Sequence, residues 1–296
     1  MSEVKKLVLF LPLFLIFFFW LSRFIIAVPT TSNKAIAEDE PQEKIRLLTF
    51  NCLATPFTNR KIRLAQVAKE IANLKPDVVI NCIGMIKQLQ NANNPLVVLP
   101  INSIFPHRLS LLCRLAGARL IHISTDCVFS GEKGGYTEKD ISDANDLYGK
   151  SKYIGEIHDE FNTVTIRTSI IGHELNSKYA LIDWFLSQDG TIRGYTKCIF
   201  SGLPTVELAS VIKNIIIPNK ELSGLYHVSS TPISKFDLLS IVAKRYGKNI
   251  NILEDSEVVL DRSLDSSCFK QATGYEPPDW EVLIDAMYNY KNHLRV

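Results

Sequence analysis

The alternation of short apolar strands with amphipathic helices from Lys75 onward constrains the fold more than any other feature. The predicted strands are DVVINCIG, RLIHIST, VTIRTSII and GLYHVSS, and helices such as FPHRLSLLCRLAG and TVELASVIKNIII lie among them. Such alternation is typical of a parallel sheet that is covered by helices on both faces. We therefore predict an α/β fold with a parallel sheet and flanking helices.

Polar residues follow the carboxyl ends of these predicted strands. Ser124, Thr125 and Asp126 come directly after RLIHI, and Thr168 and Ser169 follow VTIR. Open parallel sheets bind their ligands at the carboxyl ends of the strands. The sequence therefore predicts a ligand site at this edge of the sheet.

Tyr148 and Lys152 are four residues apart in DLYGKSKYIGE, so a helix places them on one face. A free tyrosine has a pKa near 10, and a neighbouring cation lowers it. Thr125 can donate to a substrate oxygen and share the charge that develops there. These three residues predict a proton donor, Tyr148, whose pKa is lowered by Lys152.

Together these motifs resemble the extended short-chain dehydrogenase/reductase family, and within it dTDP-4-dehydrorhamnose reductases and related sugar-nucleotide reductases. The resemblance runs over about residues 75–296 and is carried by PDVVINCIG, INSIFPH, STDCVFSG, YTEKD, DLYGKSKYIGE, RTSIIG and DRSLDSSCFKQATGYEPPDW. It implies a Rossmann-like parallel sheet and a small C-terminal substrate-binding subdomain.

The resemblance also implies roles for individual residues. It makes Thr125, Tyr148 and Lys152 the catalytic triad. It places NADP or NAD beside Cys82, Ile83, Gly84, Tyr148, Lys152, Thr168 and Ser169. It places a nucleotide-linked hexose beside Asn102, Ser124, Asp126 and Arg262, with Asn102 also supporting the site from a neighbouring helix. The implied reaction is hydride transfer to a 4-keto hexose with protonation by Tyr148, and the resemblance allows a homodimer.

A second resemblance covers residues 45–79. RLLTFNCLATPF and RLAQVAKEIANLKPDVV resemble the start of the endonuclease/exonuclease/phosphatase superfamily, in which the Asn of T-F-N, here Asn51, helps to build a divalent-metal site. Where that superfamily has a metal-binding Glu, this chain has Asn81-Cys82-Ile83-Gly84. Because hard cations need several oxygen ligands, we predict a βα unit over residues 44–79 with no metal site.

The reductase resemblance implies a glycine-rich turn for the cofactor pyrophosphate. The corresponding turn here, NCLATPFTNR, contains no glycine. KIRLAQVAKEIANLKPDVV also has no room for two further strands, because a βαβ unit takes roughly 30 residues. We predict a core that is N-terminally truncated or chimeric. Three functions stay open: a sugar-nucleotide reductase, a catalytically silent sugar-nucleotide-binding protein, and a membrane-tethered metal-dependent phosphodiesterase.

Residues 1–43 predict a hydrophobic helix followed by a linker. Leu7 to Val28 supplies the ~20 mostly apolar residues that a membrane-spanning helix needs. A secretory signal is the alternative, with Ala35-Ile36-Ala37 as a cleavage site. The N-terminal segment predicts a membrane-anchored protein, whereas the reductase resemblance implies a cytoplasmic one.

Composition excludes one class of partner. Lys and Arg total 33 against 31 for Asp and Glu, a net charge of +2. This balance lacks the basic footprint of a nucleic-acid-binding protein. The six cysteines include no C-x-x-C pair, so we predict free thiols and no metal site.

Overall fold

The computed structural model describes residues 47–50, 60–89, 91–174 and 180–293. Its strands are β1 Leu47–Phe50, β2 Val78–Asn81, β3 Arg119–Ile123, β4 Thr163–Arg167, β5 Ile170–Ile171, β6 Thr191–Tyr195, β7 Cys198–Phe200, β8 Leu203–Pro204, β9 Gly224–His227, β10 Ile233–Ser234, β11 Asn251–Asp255 and β12 Leu260–Asp261. Its α-helices are α1 Arg60–Leu74, α2 Pro95–Leu99, α3 Phe105–Leu115, α4 Leu147–Ile154, α5 Leu181–Ser187, α6 Thr205–Val211, α7 Lys235–Tyr246, α8 Ser267–Thr273 and α9 Trp280–His293.

The main sheet is parallel throughout and runs in the order β1-β2-β3-β4-β9. Its register pairs Leu47 with Val78, Val78 with Arg119, and Leu120 with Thr163. The predicted parallel α/β architecture is therefore confirmed, and β1 and α1 lie within residues 44–79. Because the strands follow chain order and parallel crossovers are right-handed, the connecting helices are expected on one face of the sheet.

One face of the sheet is covered by helices that are close in sequence to its strands. Val79 and Leu120 pack there against side chains of α1, α3 and the segments before β3 and after α4, namely Val67, Ile71, Leu109, Cys113, Ala118 and Ile157. The helix α3 ends as its sequence predicts, since Gly117 adopts φ +69° just beyond it.

The opposite face is covered by the C-terminal third of the chain. Val78, Ile80, Ile121, Val164 and Ile166 pack there against α5 to α9 and the π-helical turn Ile212–Ile216 after α6, including Phe185, Leu208, Ile216, Leu238, Phe269 and Ile284. The prediction of a sheet covered on both faces is confirmed, but the covering elements of this face come from distant sequence. Small sheets accompany these helices, in the orders β10-β7-β12, β11-β6 and β5-β8.

A π-helical turn, Pro100–Ile104, joins α2 to α3 and brings α4 close. Pro106 has no N–H, so the carbonyl of Asn102 lacks its usual donor in the next turn. This carbonyl faces Gly155, where a Cβ atom would come within 1.9 Å of it. A glycine at the end of α4 therefore permits the close approach of the two helices.

Some sequence predictions fall outside the described residues. These are the hydrophobic segment and linker of residues 1–43, Asn51, and most of the glycine-free turn over residues 51–59. In the part of the chain that the structure describes, the helical run Pro95–Leu115 is long and apolar enough to cross a membrane. It contributes Leu109 and Cys113 to the core beneath the sheet.

Candidate functional site

The ends of β3 and β4 meet at the carboxyl edge of the main sheet. The backbone N–H of Ser124 donates to Ile166 at 2.7 Å, and that of Asp126 donates to Thr168 at 3.2 Å. Thr125, 8% exposed, lies between these two bonds, and its hydroxyl accepts from the backbone of Cys127 at 3.1 Å. The polar residues predicted after β3, Ser124 to Asp126, and those predicted after β4, Thr168 and Ser169, therefore form one surface.

The helix α4 is held against this surface by a glycine. Asp146 caps the helix by accepting from the backbone of Gly149 at 2.8 Å. A Cβ atom on Gly149 would lie 2.2 Å from the carbonyl oxygen of Cys127. The close approach that glycine permits brings Tyr148 to Thr125, and the two side chains form a hydrogen bond.

The electrostatic effect on Tyr148 is opposite to the predicted one. Burial raises the pKa of the phenol above its usual value, the neighbouring Cys127 adds to this, and only the hydrogen bond with Thr125 lowers it. The net shift is therefore opposite to the predicted lowering, and Lys152 is not among the groups that act on the phenol. The physical reason is that loss of solvation outweighs the other contributions.

Lys152 lies beneath the site. It is 4% exposed, and its ammonium donates to the carbonyl oxygen of Ile123 at 2.8 Å. Burial lowers the pKa of Lys152 to about 8, and the charge of Glu156 opposes this effect. The residue is a buried cation that loses its proton more readily than an ordinary lysine.

The segment after β2 is fixed by two asparagines. Asn81 accepts from the backbone of Ile83 at 3.1 Å, and Asn102 exchanges two hydrogen bonds with the backbone of Met85, at 2.7 Å and 3.0 Å. Burial raises the pKa of the Cys82 thiol to about 12, so this side chain stays neutral. The backbone of Cys82, Ile83 and Gly84 is therefore held in place, and Cys82 lies within reach of the charge of Lys152.

Asn102 does not lie where a substrate could touch it. The side chain is 0% exposed, and besides its bonds to Met85 it donates to the hydroxyl of Ser151 at 3.0 Å. Full burial contradicts the prediction that it contacts substrate. Its supporting role agrees with the structure, because Asn102 joins the segment after β2 to α4.

Ser124 belongs to a buried network below the site. Its hydroxyl donates to Glu156 at 2.7 Å, so this proton is not directed at a substrate. Arg167 donates to both carboxylate oxygens of Glu156 at 2.8 Å, and both side chains are almost fully buried. Burial alone would raise the pKa of Glu156, but the bonds from Arg167 hold it below its usual range. Sequence analysis missed Glu156, although it ends the motif DLYGKSKYIGE.

Arg262 reaches the site from a distant part of the chain. Its Nε donates to the carbonyl oxygen of Phe129 at 2.8 Å, and its Nη1 lies 4.0 Å from the sulfur of Cys127. Burial raises the pKa of Asp126, and the charge of Arg262 opposes the rise. The structure therefore brings Arg262 to the predicted site residues Thr125 and Asp126.

Lys87 is a site residue that sequence analysis missed. Its ammonium donates to Asp146 at 2.6 Å and lies 5.6 Å from the centre of the Tyr148 ring. The signal was weak, because a single lysine in a loop has no periodic pattern and its partner lies 59 residues away. Among the described residues, no group of three or more His, Cys, Asp or Glu could hold a metal ion.

A parallel α/β sheet with a Tyr-x-x-x-Lys pair at its carboxyl edge defines the class of Rossmann-like nucleotide-binding folds. The sequence pattern of the RmlD substrate binding domain matches residues 59–291, and the chain belongs to this family.

Individual relatives support this assignment. The chain is 27% identical over 258 residues to the dTDP-4-dehydrorhamnose reductase of Aggregatibacter actinomycetemcomitans, an alignment that covers 78% of this chain and 87% of the relative. It is 39% identical over 85 residues to the Mycobacterium tuberculosis protein of the same name, covering 27% of this chain and only about 28% of the relative. The dTDP-4-dehydrorhamnose reductase of Bacillus anthracis, solved in complex with NADP, has a similar fold with a TM-score of 0.66 at 23% identity, covering 77% and 85% of the two chains.

Proposed function

We propose that the chain is a sugar-nucleotide reductase that transfers hydride from NAD(P)H to the 4-keto group of a nucleotide-linked hexose. The observation that carries this proposal is the meeting of Thr125, Tyr148 and Lys152 at the carboxyl edge of the parallel sheet. Relatives named dTDP-4-dehydrorhamnose reductase support the same substrate class.

In this proposal Tyr148 is the proton donor. Reduction of a ketone produces an alkoxide, and the phenol transfers its proton to that oxygen. The phenol of Tyr148 is protonated at neutral pH, and burial raises its pKa further. It can still give up this proton, because an alkoxide is a stronger base than a phenolate. Thr125 lies beside Tyr148, and its one hydroxyl proton is donated to Asp126 at 3.1 Å. When the substrate binds, this proton turns to the same substrate oxygen.

Lys152 has the role of a fixed cation below Tyr148. Its bond to the carbonyl oxygen of Ile123 holds the ammonium in place, and its two further donors suit the hydroxyls of a ribose. The residues of the site fit a nicotinamide cofactor, because the backbone after β2 is held in place and the neutral Cys82 thiol lies near this cation. The cofactor supplies the hydride when bound.

Cofactor binding is the first test, since the predicted phosphate turn has no glycine. The full chain is titrated with NADPH and with NADH, and the melting temperature is recorded. A ligand that binds only the folded state raises this temperature by mass action. Saturable stabilisation is expected. A folded chain that neither cofactor stabilises would contradict the reductase.

Turnover is the second test. The chain is mixed with NADPH and a dTDP-linked 4-keto hexose, and NADPH oxidation is followed by absorbance. Oxidation that depends on the sugar nucleotide is expected. Binding of the sugar nucleotide without oxidation would instead indicate the catalytically silent binding protein, which the glycine-free turn NCLATPFTNR favours as the second candidate.

The N-terminal segment supports a further proposal about location. Leu7 to Val28 is long and apolar enough for a membrane-spanning helix, with Lys5 and Lys6 on its N-terminal side. We propose that it tethers the reductase domain to a membrane. Fractionation tests this, because the full chain should sediment with membranes and resist extraction at high salt. Recovery of the chain in the soluble fraction would contradict the tether.

A further inference from the structure

Lys87 is a cation at the edge of the candidate site whose contacts contribute little to the fold. It pairs with Asp146 at 2.6 Å, and the two side chains are 38% and 49% exposed. Exposed ion pairs of this kind add little to stability. Asp146 caps α4 through its other oxygen, which accepts from Gly149. The helix therefore keeps its cap whether or not Lys87 is present.

The position of Lys87 is defined relative to the proposed proton donor. Its ammonium lies 5.6 Å from the centre of the Tyr148 ring. An ammonium has three donors, and within the described part of the chain Asp146 is its one hydrogen-bond partner. Two donors are thus available to oxygen atoms of a ligand that binds in front of the phenol.

Arg262 approaches the same space from another side. Its Nε is bonded to Phe129, and its Nη1 lies against Cys127, so the guanidinium keeps further donors for a ligand. Lys87 and Arg262 both act electrostatically on Cys127 and on Asp146, which shows that the two cations flank one region.

We propose that Lys87 and Arg262 bind the phosphate oxygens of the nucleotide that occupies this site. The inference rests on the proposed function, in which substrate and cofactor both carry a diphosphate. Charge-assisted bonds to phosphate are among the strongest that a protein makes. The carboxylates of Asp126 and Asp146 face the same region and repel a diphosphate. The charges of Lys87 and Arg262 offset this repulsion and allow the diphosphate to bind. When the nucleotide binds, the Lys87 ammonium leaves Asp146 and donates to the phosphate instead.

The test is nucleotide binding by the full chain and by Lys87→Gln. Titrations of dTDP, thymidine and NADPH are followed by calorimetry at one ionic strength. Lys87→Gln is expected to weaken the binding of a diphosphate about 10- to 100-fold, the effect of losing one bond between charged groups. Thymidine carries no phosphate, and its affinity is expected to stay unchanged. A loss of affinity for dTDP assigns the contact to the substrate, and a loss of affinity for NADPH assigns it to the cofactor.

Three further variants separate phosphate binding from other effects. Lys133 offers a matched control, because it pairs with Asp140 at 2.5 Å and lies 5.6 Å from the centre of the Tyr136 ring instead of the Tyr148 ring. Lys133→Gln is expected to bind as the wild type does, and Lys87→Arg to retain affinity. Asp146→Asn keeps a capping side chain but releases Lys87, so diphosphate binding is expected to be as tight as in the wild type or tighter.

The outcomes separate this inference from the proposed function. Wild-type affinity of Lys87→Gln for both dTDP and NADPH overturns the inference and leaves the reductase intact. An equal loss in Lys133→Gln also overturns it, since the effect would then be one of net charge. A loss in Asp146→Asn as large as in Lys87→Gln would show that the lysine only positions α4. If the wild type binds none of the probes, the proposed function fails and the inference fails with it.

Discussion

Two tyrosines in this chain have nearly the same charged neighbours and different chemistry. Tyr148 has Lys87 at 5.6 Å from its ring centre, and Tyr136 has Lys133 at the same distance. Each lysine also pairs with an aspartate, Asp146 in the first case and Asp140 in the second.

The difference lies in what each hydroxyl contacts. The oxygen of Tyr136 accepts from the backbone N–H groups of Gly131 and Lys133, both at 3.1 Å, and the ring stacks on Phe129 with centres 4.1 Å apart. The hydroxyl of Tyr136 therefore serves as an acceptor that holds its own loop together. The hydroxyl of Tyr148 bonds instead to the side chain of Thr125, which lies at the carboxyl edge of the sheet. A lysine and an aspartate beside a tyrosine therefore do not define a site; the partners of the hydroxyl do.

The largest effect is expected from removing each hydroxyl in turn and measuring turnover. Tyr148→Phe removes the proposed acid, so NADPH oxidation should fall about 10²- to 10⁴-fold. Tyr136→Phe should leave turnover unchanged. Similar losses in both variants, or an unaffected Tyr148→Phe, would break the comparison.

The next effect concerns the glycines beside the two tyrosines. A Cβ atom on Gly149 meets the backbone oxygen of Cys127 at 2.2 Å, whereas one on Gly134 meets the side chain of Asp261 at 2.3 Å. Gly149→Ala should move α4 from Thr125 and lower turnover about 10²-fold, since small misplacements carry costs of this size.

Gly134→Ala is the control for this substitution. Its φ of +70° makes an alanine strained, so it should destabilise the fold by about 1–2 kcal/mol. It should lower turnover by less than Gly149→Ala does, because it displaces Asp261, next to Arg262, and not the backbone behind Tyr148. Denaturant unfolding and NADPH oxidation, measured on both variants, check the pair. A fully active Gly149→Ala would show that the close approach of α4 does not set the position of Tyr148.

The free energy of unfolding should fall more in Tyr136→Phe than in Tyr148→Phe, which is the reverse of the order expected for turnover. Tyr136→Phe leaves the N–H groups of Gly131 and Lys133 without their acceptor, which costs about 1–3 kcal/mol for a buried donor. Tyr148→Phe loses one bond with Thr125 and should change the free energy of unfolding by less. Denaturant titrations of the two variants measure this, and a larger loss in Tyr148→Phe would contradict the assignment of Tyr136 to structure.

The last expected effect is a pH dependence on the Tyr148 side of the comparison, and it comes from Lys152. Burial lowers the pKa of Lys152 from 10.5 to about 8, so between these values the unfolded chain binds more protons than the folded one. Stability contributed by this group therefore rises as pH increases through that window. The difference in unfolding free energy between the wild type and Lys152→Met, measured from pH 7 to pH 10.5, should follow this rise. A flat difference would show that the amine is not desolvated.

Local sequence patterns were sufficient for the parts of the fold that depend on neighbouring residues. Apolar runs predicted β2, β3, β4 and β9, and the helix that ends at Gly117 was found from its spacing and its glycine. Thr125, Tyr148 and Lys152 were found in the same way, because each lies in a short motif next to a strand or helix end.

Contacts between distant residues could not be predicted in this way. The pair of Lys87 and Asp146 spans 59 residues and leaves no periodic signal. The full burial of Asn102 depends on how closely α4 packs, which local patterns do not give. The pKa of Tyr148 was predicted in the wrong direction because spacing along a helix reveals a nearby cation but not the loss of solvent.

The division of the core between the two faces of the sheet has a consequence for synthesis on the ribosome. The face under α1 and α3 can be buried as soon as those neighbouring segments emerge. The face formed by Val78, Ile121 and Val164 stays unburied until the C-terminal helices have been synthesised, the last of which is α9, Trp280–His293. Late contacts of this kind leave apolar surface exposed while the chain grows. A stalled or prematurely terminated product that lacks α9 should therefore contain every residue of the candidate site and still be a substrate for chaperones and proteases.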